Sequence, residues 1–322
     1  MPRSTIIFGN GLGMALSPNY FALSAALRDV WSGSANFYPG HKRLVASAIP
    51  GLTDDDFPRT EEQLDQLQVA IVASEFLRKF ETEEIKWLDE SAKDLPEAFR
   101  RFLHEVATYF HASGLILPLV FVQALASYVR ETKSHVATLN YDNLLYDGLK
   151  SQGVLDGYRG TLLDGFHRDG FQNENMTRYS AARHGWYLHL HGSPLFIGNA
   201  KVMGEGRRLF EPNESSHIVL THVKHKPLVI EGSAILSSYW DRFHEALAES
   251  GKIFIVGYSG EDTHLNQSIA DRANDRPVFI VEWEGSGEPH ARRRHWCQIL
   301  RTAAVQVIAL PNILEYTGWR DA

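Results

Sequence analysis

The chain carries a series of short apolar runs, rich in β-branched residues, that alternate with helical patterns. The first run, residues 5–8, ends at the glycine turn 9–13, and a helical pattern follows over residues 20–31. Buried parallel strands have this composition, and helices connect them. The sequence therefore predicts an α/β fold built on a doubly wound, mostly parallel sheet. Further strands are predicted at residues 135–138, 186–190, 227–230, 252–256, 277–281 and 305–310, and further helices at residues 231–250 and 265–273.

Between residues 41 and 130 the pattern is helical and strongly acidic. Residues 54–97 hold 14 Asp and Glu against five Lys and Arg. We expect this segment to be a helical insertion into an α/β domain formed by residues 1–40 and 131–322. It would be either a solvated cover over the sheet, or an oligomer contact or lid. A capping box at residues 60–63 begins one helix, a second begins near residue 94 and a third covers 119–129. The first helix has apolar residues near helical spacing at Leu64, Leu67, Ile71, Phe76 and Phe80.

Composition excludes several classes of protein. The net charge of −7 disfavours a nucleic-acid binder that works through a general basic surface. The single cysteine, Cys297, excludes an intrachain disulfide framework and a multi-cysteine zinc site. The longest apolar run, residues 115–122, is about half a membrane span and contains Pro118. We therefore expect a soluble cytoplasmic protein that binds neither membrane nor nucleic acid.

Polar residues follow four of the predicted strands. In an open α/β sheet, ligands bind beyond the carboxyl ends of the strands, so these residues predict a site at that edge. Their convergence is stronger evidence than any one of them alone. The four groups are Gly9-Asn10-Gly11, Asn140-Tyr141-Asp142, His191-Gly192-Ser193 and residues 257–262.

Each group also has a simpler interpretation. The glycine turn 9–13 lets backbone approach a pyrophosphate, or it is only a tight strand-to-helix turn. Asn140 or Asp142 could cap a helix. His191 could be a general base or a hydrogen-bonded structural residue. Residues 257–260 could form a second phosphate- or ribose-facing turn, or a turn whose Asp262 caps the next helix. Glu282 could accept ribose hydroxyls or be a surface carboxylate.

Taken together, these segments resemble the sirtuin-like NAD-binding family, and most closely its zinc-less bacterial branch associated with phage-defence NAD hydrolases. The resemblance implies a Rossmann-like, sirtuin-like sheet and hydrolysis of NAD+ to nicotinamide and ADP-ribose, with NAD as substrate and no metal. In antiphage defence this reaction would deplete NAD. The matching elements occur in the family's order at Gly9-Asn10-Gly11-Leu12, Thr138-Leu139-Asn140-Tyr141-Asp142, Leu190-His191-Gly192-Ser193 and residues 257–265.

The resemblance also implies residue roles. Asn140 would orient water or a ribose hydroxyl, His191 would act as the base, and Asp142 would bind the nicotinamide carboxamide. Gly9, Gly11 and Leu12 are expected to bound the pyrophosphate. Gly257, Ser259 and Glu282 are expected to face the adenosine half. The charge of Glu282 leans toward an unphosphorylated ribose but does not separate NAD from NADP. Further predicted NAD contacts are Asn10, Thr138, Gly192 and Asp262.

Two departures from the family pattern bear on activity. Sirtuin deacylases carry a four-cysteine zinc module, which Cys297 alone cannot form. In the first motif, Asn10 and Gly13 replace the usual Ala and Ser, so the phosphate contacts there would come from backbone amides.

Three alternatives therefore stay open. They are a non-catalytic NAD or ADP-ribose sensor subunit, a zinc-independent NAD-dependent deacylase, and a metal-dependent hydrolase. The last would use His189 and His191, or His217, His222 and His225. It is disfavoured because no nearby acidic ligand completes a motif. Because unrestrained NAD hydrolysis is toxic, we also expect a homo-oligomer or a separate regulatory partner such as an ATPase or sensor protein.

Overall fold

The computed structural model describes residues 2–49, 51–53, 56–78, 94–202, 217–220, 226–273 and 276–321. The strands are β1 (Ser4–Phe8), β2 (His135–Thr138), β3 (Leu162–Leu163), β4 (Phe166–His167), β5 (Gly170–Phe171), β6 (Gly185–His189), β7 (Phe196–Ile197), β8 (Ala200–Lys201), β9 (Lys252–Val256), β10 (Val278–Trp283) and β11 (Val305–Leu310). The helices are α1 (Gly11–Leu16), α2 (Pro18–Phe21), α3 (Leu23–Gly33), α4 (Pro39–Ala48), α5 (Glu61–Arg78), α6 (Leu95–His111), α7 (Leu119–Thr132), α8 (Leu144–Ser151), α9 (Lys226–Glu231), α10 (Ala234–Glu249), α11 (Thr263–Ala273) and α12 (Pro289–Leu300). Short 3₁₀ turns cover Asn173–Met176, Glu284–Ser286 and Ile313–Glu315.

The central sheet has seven strands in the order β11-β10-β9-β1-β2-β6-β3. Every neighbouring pair in this sheet is parallel, which confirms the predicted doubly wound α/β fold. From β1 the chain builds outward through β2 and β6 and then returns to add β9, β10 and β11 on the other side. The strand order therefore reverses between β1 and β9, the position at which open α/β sheets bind ligands.

Helices cover both faces of the sheet. Because successive strand side chains point to opposite faces, Ile6 and Ile7 enter different cores. Ile6 shares its core with Phe102 of α6 and Phe121 of α7. Ile7 packs in the other core with Phe243 of α10. The helical segment (residues 41–130) thus contributes directly to one face of the sheet, and its boundaries as a separate domain remain a prediction.

Two predicted elements differ in the structure. Residues 227–230, predicted as a strand, form most of helix α9, and Pro227 lies in its first turn. A proline is tolerated there because first-turn amides have no acceptor within the helix, and a four-residue apolar run does not distinguish strand from helix. The helix predicted over residues 20–31 is divided at Ala22, whose ψ of 131° is extended.

The capping box predicted at residues 60–63 begins α5. The backbone N–H of Gln63 donates to Thr60 Oγ1 at 3.4 Å, and Gln63 Oε1 accepts from the amide of Arg59 at 2.7 Å. Phe76, expected on the apolar face, is 57% exposed, and Phe80 lies outside the described residues. Among the helices that the structure describes, none is both long and apolar enough to cross a bilayer.

Candidate functional site

Asn140 and His191 leave neighbouring strands at the same level. Thr138, the last residue of β2, pairs with His189, the last residue of β6, and each candidate follows its strand by two positions. Both side chains are nearly enclosed, since Asn140 is 5% and His191 7% exposed. The structure therefore brings these two predicted catalytic residues to one edge of the sheet.

The side chain of Asn140 joins the β1 and β2 loops. Its Nδ2 donates to the carbonyl oxygen of Gly9 at 3.1 Å, and its backbone N–H donates to Thr138 Oγ1 at 3.1 Å. The other amide atom, Oδ1, is buried and has no hydrogen-bond partner within the described part of the chain. An unpaired buried acceptor is costly, so Oδ1 is suited to accept a hydrogen bond from a ligand.

His191 is oriented by a carboxylate. Its Nε2 lies 3.0 Å from Asp262 Oδ2, and Lys226 Nζ donates to the same oxygen at 2.9 Å. The other oxygen of Asp262 accepts from the amides of His264 and Leu265 and so caps α11. The capping interpretation of Asp262 is therefore correct for one oxygen, while the second oxygen holds the imidazole.

The electrostatics of this pair favour a neutral imidazole. Burial, followed by the charge of Lys226, lowers the pKa of His191 despite the hydrogen bond to Asp262. Burial opposes ionisation of Asp262, but the hydrogen bond from His191 and the charge of Lys226 outweigh it and hold the pKa of that carboxyl well below its usual range. The imidazole thus donates through Nε2–H, and Nδ1 keeps a lone pair that can accept a proton.

Two members of the site carry no signal in the sequence. Lys226 is 4% exposed, and its Nζ lies 3.5 Å from Glu61 Oε2 as well as against Asp262. Glu61 is the first residue of α5, so the helical segment reaches the site through it. Burial raises the pKa of Glu61, although the charge of Lys226 opposes that rise. A lysine before an apolar run and a glutamate in a capping box are both ordinary patterns, so nothing in the sequence marks this pair.

Asp142 lies in the same loop as Asn140 and is buried. Its Oδ1 accepts from the backbone N–H of Leu144 at 3.1 Å, in the first turn of α8. Burial raises the pKa of Asp142 to about 7, against the opposing effect of the backbone hydrogen bonds. Near neutral pH this carboxyl group can therefore donate or accept a hydrogen bond.

The glycines of the β1 and β9 loops pack directly against each other. Gly11 N–H donates to Gly257 O at 2.7 Å, and Gly9 N–H donates to Val256 O at 3.0 Å. A Cβ on Gly11 would lie 2.6 Å from Gly257 Cα, and one on Gly9 would lie 2.7 Å from Gly257 O. These contacts require glycine at both positions, so the motif has a packing reason in addition to its predicted contact with pyrophosphate.

The two departures in the first motif are explained by Phe21. The side-chain Nδ2 of Asn10 donates to the carbonyl oxygen of Phe21 at 2.9 Å, and a Cβ on Gly13 would lie 2.6 Å from the Phe21 ring. Leu12 is fully buried in the core beside this turn. Leu12 is therefore engaged in packing, while Asn10 is exposed and uses Nδ2 to hold the turn.

Gly192 fixes the backbone that carries His191. Its φ of +84° is a left-handed conformation, and a Cβ there would lie 1.5 Å from the carbonyl oxygen of His217. The amide of Val219 donates to the carbonyl oxygen of His191 at 3.0 Å. The strand end is thus clamped against residues 217–219.

Ser259 and Glu282, both predicted to face the adenosine half, differ from each other in burial. Ser259 is exposed, and its Oγ accepts from the amide of Glu261 at 3.4 Å. Glu282 is buried rather than a surface carboxylate. Its oxygens accept from Arg292 at 2.8–3.1 Å and from Trp296 Nε1 at 3.1 Å. A ribose hydroxyl would therefore compete with Arg292 for Glu282.

The histidines considered as metal ligands form no metal-binding group in the part of the chain that the structure describes. Within the ranges described above, no three His, Cys, Asp or Glu side chains are grouped to hold a metal ion. His222 and His225 lie outside those ranges. The ring of His189 packs among Tyr146, Tyr187 and Phe196.

The comparisons with known proteins identify the family of this chain. The family model described as "SIR2-like domain" matches residues 134–308, which is more than half of the chain and includes Asn140, His191 and Asp262. The glycine turn after β1 lies outside the matched residues. No curated protein sequence matches the chain. The chain belongs to the SIR2-like domain family, and membership implies an interaction with NAD.

Proposed function

We propose that this protein is an NAD+ glycohydrolase that cleaves the nicotinamide–ribose bond with water and releases nicotinamide and ADP-ribose. The observation that carries the proposal is the pairing of a neutral, carboxylate-oriented His191 with the unpaired Oδ1 of Asn140 at adjacent strand ends. A base and a hydrogen-bond acceptor in this arrangement suit the activation of water or of a ribose hydroxyl.

The leaving group of this reaction is already cationic, so its departure needs no strong acid. The ribose C1′–N bond breaks and its electron pair stays on nicotinamide, while positive charge develops on the ribose ring, as in other glycoside cleavages. Water oxygen bonds to C1′, and its proton passes to Nδ1 of His191 and then to solvent. Asn140 Oδ1 holds the water or a ribose hydroxyl in place, and Asp142 binds the carboxamide.

Hydrolysis is favoured over deacylation by the cysteine content. One cysteine, Cys297, cannot form the four-cysteine zinc module of sirtuin deacylases. We propose depletion of NAD during phage infection as the biological role, on the motif resemblance. Control by homo-oligomerisation or by a partner remains a prediction, and light scattering with and without candidate partners tests it.

The test is to incubate the purified protein with NAD and, separately, NADP while nicotinamide release is followed by chromatography. His191→Ala and Asn140→Ala should each reduce turnover by about 10²-fold or more, with circular dichroism and melting temperature retained. His290→Ala, an exposed histidine on α12, is the matched control and should retain wild-type turnover. Wild-type turnover in either site variant would refute the catalytic assignment, and NAD binding with no release would indicate a binding module instead.

A further inference from the structure

Asp262 Oδ2 is shared by two groups that can both carry positive charge. His191 Nε2 and Lys226 Nζ contact this one oxygen at 3.0 and 2.9 Å, so the two nitrogens are within about 6 Å of each other. The side chains of Lys226 and Asp262 are each 5% exposed, which limits screening by water. A buried ammonium that close opposes protonation of the imidazole.

Lys226 also joins this group to the helical segment. Its Nζ lies 3.5 Å from Oε2 of Glu61, and the Glu61 side chain is 34% exposed at the start of α5. Glu61 is the member of this ion-pair chain that belongs to the helical segment. The ion-pair chain thus runs from α5 through α9 to the cap of α11 and ends at His191.

We propose that Lys226 is a positioning residue that keeps His191 a neutral base, and that Glu61 couples this effect to the helical segment. The inference rests on the proposed function, because it assigns a regulatory route to the same site. Lys226 holds the Asp262 carboxylate through its hydrogen bond, and its positive charge opposes protonation of the imidazole. Glu61 partly neutralises the charge of Lys226. Because Glu61 belongs to α5, displacement of this helix changes the electrostatic potential at His191.

The two charges act on His191 in opposite directions. Removal of Lys226 removes a repulsive positive charge and raises the pKa of His191. Removal of Glu61 leaves the positive charge of Lys226 less neutralised and therefore lowers the pKa of His191. Two sets of charged and titratable groups face this chain: Asp262, His264 and Lys226 around His191, and Lys226, Asp262, Glu62 and Tyr141 around Glu61.

The experiment is an NMR titration of the histidine Cε1–H signals of the full chain, with His191 assigned from the spectrum of His191→Gln. In Lys226→Met the His191 signal should titrate about one to two pH units higher than in the wild type. In Glu61→Gln it should titrate lower. Lys226→Arg keeps the charge and should titrate like the wild type, as should Lys150→Met, which removes an exposed lysine on α8.

The pH dependence of nicotinamide release provides a second readout. The acidic limb of kcat/KM should move in each variant by the same amount and in the same direction as the NMR titration. An unchanged His191 titration in Lys226→Met, or a shift of the same sign in Glu61→Gln, overturns the inference. If Lys226→Met does not fold, the sign of the shift in Glu61→Gln decides. The NMR result needs no turnover, so it fails or succeeds independently of the proposed activity.

Discussion

His191 Nε2 and Asp262 Oδ2 lie 3.0 Å apart, although the strands that precede them, β6 and β9, are separated in the sheet by β1 and β2. The loops that follow β6 and β9 therefore meet beyond the ends of the two intervening strands, and the β9 loop comprises residues 257–262. It is held at its start by the backbone hydrogen bond from Gly11 to Gly257. One wall of the candidate site is consequently built from both halves of the doubly wound sheet.

This relationship predicts the effect of replacing the carboxylate. In Asp262→Asn the amide oxygen is needed by the backbone N–H groups of His264 and Leu265, so the NH2 group faces His191 Nε2. An NH2 group cannot accept from the Nε2–H tautomer, so we expect kcat for nicotinamide release to fall by about 10²–10⁴-fold. Asparagine is also a good N-cap residue, so α11 should remain folded. Steady-state kinetics measure the loss, and calorimetry should find NAD affinity changed by less than about tenfold.

Glu261→Gln is the control for that prediction. Glu261 is exposed and precedes Asp262 in the same loop, so its replacement removes a nearby charge without touching His191. Its kcat should equal that of the wild type. A wild-type kcat in Asp262→Asn would show that the imidazole does not depend on this carboxylate.

Most strands of the parallel sheet could be predicted from the sequence, because strands such as β1, β2 and β9 are buried on both faces. Such strands are continuous apolar runs, and residues 5–8, 135–138 and 252–256 need no tertiary information to be recognised. The convergence of Asn140 and His191 follows from the same rule, since parallel strands end at one edge. The run 227–230 could not be assigned in this way, because four apolar residues fit either a strand or a buried helix.

The ion-pair chain at the site could not be predicted. The contact between Lys226 and Glu61 joins residues far apart in the sequence, and each residue by itself is typical of a surface. Burial of Lys226 depends on how α9 and α5 pack, which the local sequence does not specify. The packing of Gly11 on Gly257 is similar, since a glycine motif shows where a close approach occurs but not what approaches.

Gly192 provides a test of the clamp on His191. Gly192→Ala adds a methyl group 1.5 Å from the carbonyl oxygen of His217 at a φ of +84°, so the free energy of unfolding should fall by about 3 kcal/mol or more. Gly198→Ala is the matched control, because its φ is +56° and no atom lies within 4 Å of the added carbon. It should lose only about 1–2 kcal/mol. Urea denaturation measures the free energy of unfolding of both variants. Equal losses would show that the backbone at Gly192 moves to avoid the clash without further loss of stability.

His189 offers a prediction about the core. Both of its ring nitrogens are buried without a hydrogen-bond partner among the described residues, and burial lowers its pKa well below the usual value. Because an unpaired buried polar group is destabilising, His189→Phe should raise the free energy of unfolding by about 1 kcal/mol and leave nicotinamide release unchanged. His189→Asn retains a polar group and should be less stable than the wild type. A loss of stability in His189→Phe would mean that the imidazole has a partner in solution.

The raised pKa of Asp142 predicts that the stability of the protein depends on pH. Burial raises its pKa from 3.8 to about 7, so the folded state binds the proton more tightly than the unfolded state. Its contribution to stability is therefore fully present below pH 4 and is lost as the pH rises to about 7, by at most about 4 kcal/mol. Asp142→Asn, which cannot ionise, should gain stability relative to the wild type over that range and show no further gain above it. Chemical denaturation at pH 4 to 8 measures this, with the exposed Asp156→Asn as the comparison variant. A difference between Asp142→Asn and the wild type that stays constant over this range would contradict the raised pKa of Asp142.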